Sequence, residues 1–312
     1  MTLKRSEAPL IKLFGASTPS GAAFLEAAIG RDVTVVGRQC PLGWPQEQFL
    51  PLDLTDTAAP TPTLDGVLVS FAPLWHLAPF VANLLRDHQV GGPQKRHGQK
   101  HHGLTGVVAC SSSSVVTKRF AANNFDRALV RRLEQAEDAL EQACQKAAIP
   151  CRILRPTLIY GQAGGYGDRN LSVLINAMGR LPLLPIPSHT GLRQPIHAKQ
   201  LAGVALLLAD HPEAAPSRLN LGGDESLSYG TMLRRLQAAA QAQNPRDPAS
   251  RCHLLPLPMR LFHLLAAPLL PLAPKHFEAV LRIEADLAGF TPAHSLLGTE
   301  PQPFPMPPLA RR

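Results

Sequence analysis

The sequence predicts an α/β protein: a doubly wound parallel sheet with a smaller C-terminal substrate-binding region. First, short apolar runs alternate with longer helical stretches between residues 11 and 155, a pattern typical of βαβ units with helices on both faces of a sheet. Second, a glycine turn at residues 15–21 joins the first apolar run to the first helical stretch. Third, Gly and Pro become more frequent after residue 160. We therefore predict one domain over residues 1–160 and a second region over 161–312.

The predicted strands of the first domain are β-branched or apolar runs that end at turn residues. They are 11–14, 33–36, 66–71, 107–110 and 151–154. Helical periodicity between them predicts helices over 22–29, 74–86 and 125–148. In the second region, the same patterns predict helices over 170–178, 199–208, 229–242 and 277–287, a strand over 219–221 and a Pro-rich tail after residue 301.

Composition describes a globular chain. Of 312 residues, 45% are hydrophobic and 17% are charged, whereas a disordered chain has few apolar and many charged residues. The five cysteines show neither a CxxC motif nor metal-ligand spacing. We therefore expect buried thiols in a reducing compartment, a cytoplasmic location and no metal site. The N-terminus is short and charged, so we expect no signal peptide.

The net charge of +8 is compatible with a nucleic acid, a membrane surface or an anionic small ligand as partner. Positive charge clusters only at residues 95–102, within a stretch, 86–103, that links a predicted helix to a strand. No aromatic side chain for base stacking occurs between Phe80 and Phe120. We interpret the cluster as a surface insertion and expect no nucleic-acid binding; weak anion or partner binding stays open.

The glycine turn has the features of a phosphate-binding loop. Gly15 permits a tight turn after the first strand, and Gly21 permits close packing of the helix on that strand. Thr18 suits the helix cap, and Pro19 suits the first helical position. The N–H groups and dipole at the helix start favour an anion such as a dinucleotide pyrophosphate. Because Thr18 replaces the usual middle glycine, a merely structural turn stays open.

Arg38 follows the second predicted strand, 17 residues beyond Gly21. An acidic residue there would bind the ribose 2′-hydroxyl of NAD, whereas a guanidinium pairs with the 2′-phosphate of NADP. We therefore predict that NADP is favoured over NAD. The alternative is that Arg38 is a solvated charge at a strand end.

Beyond the turn, five segments resemble those of extended short-chain dehydrogenases/reductases, in the NAD-dependent epimerase/dehydratase group. They are Asp53–Asp56, Phe71–Pro73, Ser111–Ser114, Leu154–Gly161, and Arg193–His197 with the following Leu201-Ala202. The resemblance covers roughly residues 10–225. It implies a Rossmann-type fold, a dinucleotide cofactor, a small-molecule substrate and a homodimer. It also implies that residues from about 193 to 222 return from the substrate region to the first domain.

The resemblance implies roles for individual residues. Cofactor contacts are expected from Gly15, Ser17, Thr18, Gly21, Arg38, Asp53, Leu54, Phe71, Ala72, Pro73, Pro156 and Thr157. Ser112 or Ser113 stands where the family has its catalytic Ser or Thr, and either hydroxyl would bond a substrate carbonyl or merely cap the strand end. Asn170, Arg193 and His197 are candidate substrate contacts. A surface salt bridge for Arg193 and a structural role for His197 stay open.

One departure from the family is large. Family enzymes use a Tyr as general acid/base and a Lys four residues later on the same helix face. None of the three tyrosines of this chain has a Lys four residues on. Counting back from Glu137, the expected positions carry Leu129 and Leu133, which we predict to pack inward. An atypical subgroup, including forms similar to a respiratory complex I accessory subunit, also lacks the pair, and this chain resembles that subgroup.

Besides Ser112, Ser113 and His197, two side chains are candidate replacements for the missing acid/base. Lys118 follows the serine run and is either a catalytic group or a solvated loop lysine. Tyr160 follows the last strand of the first domain and is either a proton donor or a residue that packs in the core or on the cofactor.

The most apolar stretch is 254–274, but Arg260, His263 and five prolines interrupt it. It is too broken for a transmembrane helix, which needs about 20 apolar residues. A buried or ligand-covering helix pair, an apolar lid over a lipid-like ligand and a peripheral membrane contact are the interpretations left open.

Two functions follow from the sequence. The first is an NAD(P)-binding oxidoreductase or epimerase-like enzyme that acts on an unidentified small substrate through an atypical active site. The second is a catalytically silent NAD(P)H-binding sensor or complex-assembly protein, which the loss of the Tyr and Lys favours.

Overall fold

The structure is a computed structural model that describes residues 8–56, 62–90, 103–268, 280 and 282–309. The chain forms two compact units that exchange segments. The first unit comprises residues 1–112, 132–155 and 202–219, and the second comprises 113–131, 156–201 and 220–312. The predicted domain boundary after residue 160 stays a prediction.

An eight-stranded parallel sheet confirms the predicted doubly wound α/β class. In chain order its strands are β1 (Ile11–Phe14), β2 (Val33–Gly37), β3 (Phe49–Pro51), β4 (Gly66–Ser70), β5 (Leu104–Cys110), β6 (Cys151–Pro156), β13 (Arg218–Gly222) and β16 (Thr291–Pro292). They lie side by side in the order β16-β13-β6-β5-β4-β1-β2-β3. The order reverses at β1, which pairs with β2 on one side and β4 on the other. Such a switch point is where open α/β sheets bind ligands.

The other strands form two-stranded pairs. These are β7 (Ile159–Tyr160) with β12 (Ile196–His197), β8 (Gln162–Ala163) with β9 (Tyr166–Gly167), β10 (Leu183–Pro187) with β15 (His253–Leu257), and β11 (Leu192–Arg193) with β14 (Leu227–Ser228).

Nine α-helices lie wholly within the ranges that the structure describes, and residue 280 is also helical. They are α1 (Pro19–Ala27), α2 (Leu74–Val90), α3 (Ser114–Thr117), α4 (Asn124–Lys146), α5 (Leu171–Arg180), α6 (Ala198–Asp210), α7 (Tyr229–Gln243), α8 (Met259–Ala266) and α9 (Ala293–Leu297). None of the helices in the described ranges is long and apolar enough to cross a membrane.

Each unit has its own core. In the first, β4 is buried along its whole length, as expected for a central parallel strand covered on both faces. Leu68 of β4 packs in one cluster with Leu77 of α2, Leu140 of α4 and Ile153 of β6. In the second unit, Tyr160, Ile175, Met232 and Phe304 belong to a separate cluster.

Two predictions in the second region are wrong. Residues 282–287 form turns and a bridge to Arg193 instead of the end of the helix predicted over 277–287, because carbonyls in this segment bond the Arg193 side chain. Residues 277–279 and 281 lie outside the described ranges. Residues 253–257 form a strand and not part of a helix pair, since they pair with β10 and contain Pro256. The basic cluster at 95–102 also lies outside the described residues.

Candidate functional site

The turn after β1 brings two strand ends into close contact. Gly15 has φ +76°, in the left-handed region that favours glycine. A Cβ on Gly15 would lie 2.6 Å from both the backbone nitrogen of Ala72 and the carbonyl carbon of Phe71, just beyond β4. Glycine is therefore what lets this turn approach the end of β4.

A cap and a second glycine fix the start of α1. Thr18 Oγ1 accepts a hydrogen bond from Gly21 N–H at 3.0 Å and donates one to the Gly15 carbonyl at 2.8 Å. Pro19 occupies the start of the helix. A Cβ on Gly21 would lie 2.2 Å from the Gly15 oxygen. The helix N-terminus is thus held directly against the turn.

A cavity of about 700 Å³, which we call the strand-end cavity, is lined by this turn and by residues at and after β2, β3 and β4. Eight of the predicted cofactor contacts line it. They are Gly15, Ser17, Thr18, Arg38, Asp53, Leu54, Ala72 and Pro73. Gly21, Phe71, Pro156 and Thr157 are not among its lining residues. Thr157 is instead buried in the second unit, where its hydroxyl donates to the Gln194 carbonyl.

Nine further residues line the cavity that sequence reasoning did not single out. They are Phe14, Ala16, Val35, Val36, Gly37, Gln39, Leu52, Thr55 and His76. The apolar members lie in strands, at strand ends or in the glycine turn, and no local motif marks them as ligand contacts. His76 lies in the first turn of α2, and its position three residues beyond Pro73 was the available signal.

The charges in the cavity come from two adjacent strand ends. The N–H and hydroxyl of Thr55 donate to Asp53 Oδ1 at 2.9 and 2.8 Å. These hydrogen bonds lower the pKa of Asp53, and the nearby charges of Arg38 and His76 lower it further. The cavity therefore presents an ionised carboxylate beside a guanidinium at neutral pH.

The serine run after β5 divides between the two units. Ser111 donates to Glu137 Oε1 at 2.5 Å, and Arg155 Nε lies 3.1 Å from both oxygens of that fully buried carboxylate. Ser112 ends the first unit, and Ser113 begins the second as the N-cap of α3. Both are half-buried. The buried pair of Glu137 and Arg155 was not predicted, although both residues lie in segments that the family resemblance covers.

Lys118 is part of a buried ion cluster in the second unit. Its Nζ donates to Asp126 Oδ1 at 2.7 Å, and Arg282 Nη1 lies 3.0 Å from Asp126 Oδ2. Burial alone would raise the pKa of Asp126, but hydrogen bonds from Lys118 and Asn123 and the two positive charges outweigh it and lower the pKa to about 2. The Lys118 ammonium thus compensates a buried carboxylate.

The apolar stripe of α4 packs inward as predicted at Leu133, Ala136 and Leu140, all of which are buried. Leu129 is half-buried. The two positions at which the resemblance places a Tyr and a Lys carry leucines, whose side chains cannot transfer a proton.

Tyr160 and His197 are buried against each other in the second unit, with ring centroids 5.0 Å apart. Burial raises the pKa of Tyr160, whose hydroxyl oxygen accepts a hydrogen bond from Met306 N–H at 3.0 Å. Burial, with a smaller contribution from Lys199, lowers the pKa of His197 to about 4. Its Nδ1 accepts from Lys199 N–H at 3.2 Å. At neutral pH both side chains are uncharged.

The two remaining candidates bond the backbone. Asn170 is exposed, and its Nδ2 donates to the Ile159 carbonyl at 2.8 Å. Arg193 is buried, and its guanidinium donates to the carbonyls of Leu192, Ala285 and Arg282 at 2.5–2.7 Å. Arg193 thereby holds residues 282–287 in place.

Metal-ligating side chains do not gather into a site in the described part of the chain. The five cysteines are free thiols, and Cys144, Cys151 and Cys252 are buried.

The chain has the fold of nucleotide-sugar epimerases. A nucleoside-diphosphate-sugar epimerase from Staphylococcus aureus matches with a TM-score of 0.57 and 15% identity, over 94% of this chain and 97% of that one. MoeE5, solved with UDP-glucose and NAD, matches at 0.55 and 17%, over 94% of each chain. UDP-glucuronic acid 4-epimerase from Bacillus cereus, solved with NAD, matches at 0.55 and 14%, over 79% of this chain and 85% of that one. The sequence itself matches no family model and no curated protein.

At these identities the likeness establishes the fold, and it confirms the predicted resemblance at that level. The prediction that NADP is favoured over NAD is wrong, since MoeE5 and the Bacillus enzyme were solved with NAD. The cavity gives a physical reason. Arg38 does not act alone there, because Asp53 lines the same cavity and its carboxylate would repel a 2′-phosphate.

Proposed function

We propose that this chain is an NAD-binding, epimerase-like protein and that NAD binds in the strand-end cavity. The observation that carries the proposal is the cavity itself, which lies at the carboxyl ends of parallel strands beside the switch point at β1. Its turn contains two glycines at which any Cβ would collide with backbone. That close packing gives a ligand direct access to backbone N–H groups at the start of α1.

Two sets of lining residues suit two different parts of a bound NAD. The segment from Gly15 to Thr18, with the start of α1, suits the pyrophosphate because helix N-termini favour anions. Asp53 suits the adenosine half, where its ionised carboxylate accepts hydrogen bonds from donor groups of the nucleoside. Bound NAD would supply the hydride acceptor of a redox step.

We further propose a sugar nucleotide as the substrate class, since MoeE5 was solved with UDP-glucose. Ser113 is the candidate to bond a substrate hydroxyl, with Ser112 as its alternative, because both lie just beyond the end of β5. The proton carrier must be atypical, since α4 offers Leu129 and Leu133 where the family has Tyr and Lys. Lys118 is the weaker candidate because it already pairs with Asp126.

A second candidate function is NAD binding without turnover. The buried Leu133 favours it, together with the neutral, buried state of Tyr160 and His197. A protein of this kind would sense the cofactor or stabilise a complex.

Incubation with NAD and UDP-glucose separates the two functions. Appearance of NADH absorbance or of an epimerised sugar by NMR supports the enzyme, provided that Ser113→Ala abolishes it while NAD still binds. NAD binding without either signal supports the silent alternative. Failure to bind NAD contradicts both.

A further inference from the structure

Helix α8 carries apolar side chains on its exposed side as well as on its buried side. Phe262 and Ala266 are buried on the inner face. Leu261, Leu264 and Leu265, spaced as i, i+3 and i+4, share the outer face, and their exposed fractions are 43%, 69% and 60%. A surface helix normally exposes polar and charged side chains opposite its buried stripe, whereas the exposed side of α8 carries these three leucines beside Arg260. The outer face of α8 is open to solvent in the part of the chain that the structure describes.

The two-stranded sheet of β10 and β15 lies beside α8 and carries further exposed leucines. α8 contacts β10, and Pro185 of β10 pairs with Leu255 of β15. Leu183 and Leu255 are exposed, as is Leu181 just before β10. We call the exposed side chains of these elements the leucine face. Its members are Leu181, Leu183, Leu255, Leu261, Leu264 and Leu265.

The segments that form the leucine face also carry exposed positive charge, which we call its basic rim. Arg180, Arg251 and Arg260 are exposed in the segments that form it. Residues 180–193 contain no acidic residue, and residues 244–268 contain only Asp247, which is fully buried. Among the residues that the structure describes, Glu284 pairs with His263 of α8 at 2.9 Å. An apolar centre within a basic rim is complementary to an anionic, apolar surface.

We infer that the leucine face docks on a lipid bilayer that carries anionic headgroups. Interfacial binding combines insertion of apolar side chains with attraction to anionic lipids, and this face offers both. A second copy is a poorer fit, because a two-fold interface would bring each arginine rim against its counterpart. A protein partner is also a poorer fit, since protein interfaces concentrate energy in aromatic anchors and this face is aliphatic.

Co-sedimentation of the full chain with vesicles tests the inference. The wild type is expected to bind phosphatidylglycerol–phosphatidylcholine vesicles and to bind pure phosphatidylcholine much less. Leu261→Ser/Leu264→Ser/Leu265→Ser is expected to weaken binding about tenfold or more, since three leucines no longer leave water. Arg251→Ser/Arg260→Ser is expected to weaken binding to the anionic vesicles and reduce its salt dependence.

The control places serine at exposed apolar positions outside the leucine face. Ile29→Ser/Leu42→Ser removes two exposed apolar side chains of the first unit and is expected to bind as the wild type does. Thermal melts show that each variant is folded. The inference is overturned if the wild type does not bind anionic vesicles, or if the leucine triple variant binds these vesicles as well as the wild type does. It is also overturned if the wild type is a dimer that this triple variant converts to a monomer, because a second copy then covers the face.

Discussion

Arg38 and Asp53 line the same cavity, and the guanidinium of Arg38 helps to lower the pKa of the Asp53 carboxyl. The two residues are 15 positions apart and follow neighbouring parallel strands, β2 and β3. In the proposed cofactor site, the Asp53 carboxylate therefore partly balances the positive charge of Arg38. Hydrogen bonds from Thr55 are the larger cause of the Asp53 shift.

This order of causes predicts how two variants change the pKa of Asp53. Thr55→Val removes the hydroxyl donor and is expected to raise the pKa of Asp53 more than Arg38→Ala does. In both variants the carboxyl should remain ionised at pH 7, because the Thr55 N–H still donates to it. NMR titration of the labelled carboxyl carbon measures both values, and a larger rise in Arg38→Ala would reverse the order.

Gly21→Ala is expected to distort the start of α1. Its Cβ would lie 2.2 Å from the Gly15 oxygen, so backbone must shift, at a cost of roughly 1–3 kcal/mol in the free energy of unfolding. NAD affinity should fall as well, since the shifted backbone lines the strand-end cavity. Gly103→Ala is the matched control, because a Cβ there meets nothing within 4 Å. Urea denaturation and calorimetry report the two effects, and equal behaviour of the variants would contradict the packing argument.

Asp126→Asn is expected to destabilise the second unit. The substitution removes the negative charge between Lys118 and Arg282 and leaves two partly buried cations near each other. Loss of one partner from a buried ion cluster costs about 3 kcal/mol. Asp32→Asn, at an exposed acid of the first unit, is the control and should change stability little. Denaturant titration of both variants at pH 7 gives the comparison.

The pKa of Asp126 also predicts how the free energy of unfolding depends on pH. The pKa of Asp126 is about 2 in the folded protein, whereas an unperturbed Asp titrates near 3.9. Because the folded value is depressed, the stabilisation is complete above the unfolded pKa and is lost as the pH falls toward 2. The gap in unfolding free energy between the wild type and Asp126→Asn should therefore be constant above about pH 5 and narrow below it. A gap that stays constant down to pH 3 would show that the charge of Asp126 is not its source.

Tyr160→Phe separates a structural role from a chemical one. The hydroxyl oxygen accepts the Met306 N–H, so its removal should lower the free energy of unfolding by about 1 kcal/mol and speed amide exchange at Met306. If NAD-dependent turnover is found, this variant is expected to retain it. Loss of turnover at unchanged NAD affinity would instead make Tyr160 the proton carrier.

Most of the sheet could be predicted from the sequence because its strands are continuous apolar runs. β4 is buried on both faces, and its Val and Leu residues show no alternation that imitates a helix. β3 was missed because it has only three residues and ends in Pro51. The helix predicted over 277–287 failed at its C-terminal end because the sequence does not show that Arg193 binds carbonyls of that segment.

The parts of the candidate site that depend on local backbone conformation could be predicted from the sequence. Gly15 and Thr18 follow from turn and cap preferences, and the structure shows the contacts that require them. The partners of Lys118, Tyr160 and Arg193 were not predictable, since Asp126, Met306 and Ala285 reach them by tertiary packing. These three side chains were candidates for catalysis or substrate binding in the sequence, and the structure shows that each bonds a neighbour within the fold.

The central claim is that NAD binds in the strand-end cavity, and calorimetric titration with NAD tests it most directly. The wild type and the control Asp32→Asn are expected to bind one NAD per chain with the same affinity. Asp53→Asn is expected to bind about tenfold more weakly, because a neutral amide replaces an ionised acceptor. Absence of NAD binding by the wild type, or equal affinity in Asp53→Asn, would contradict the account.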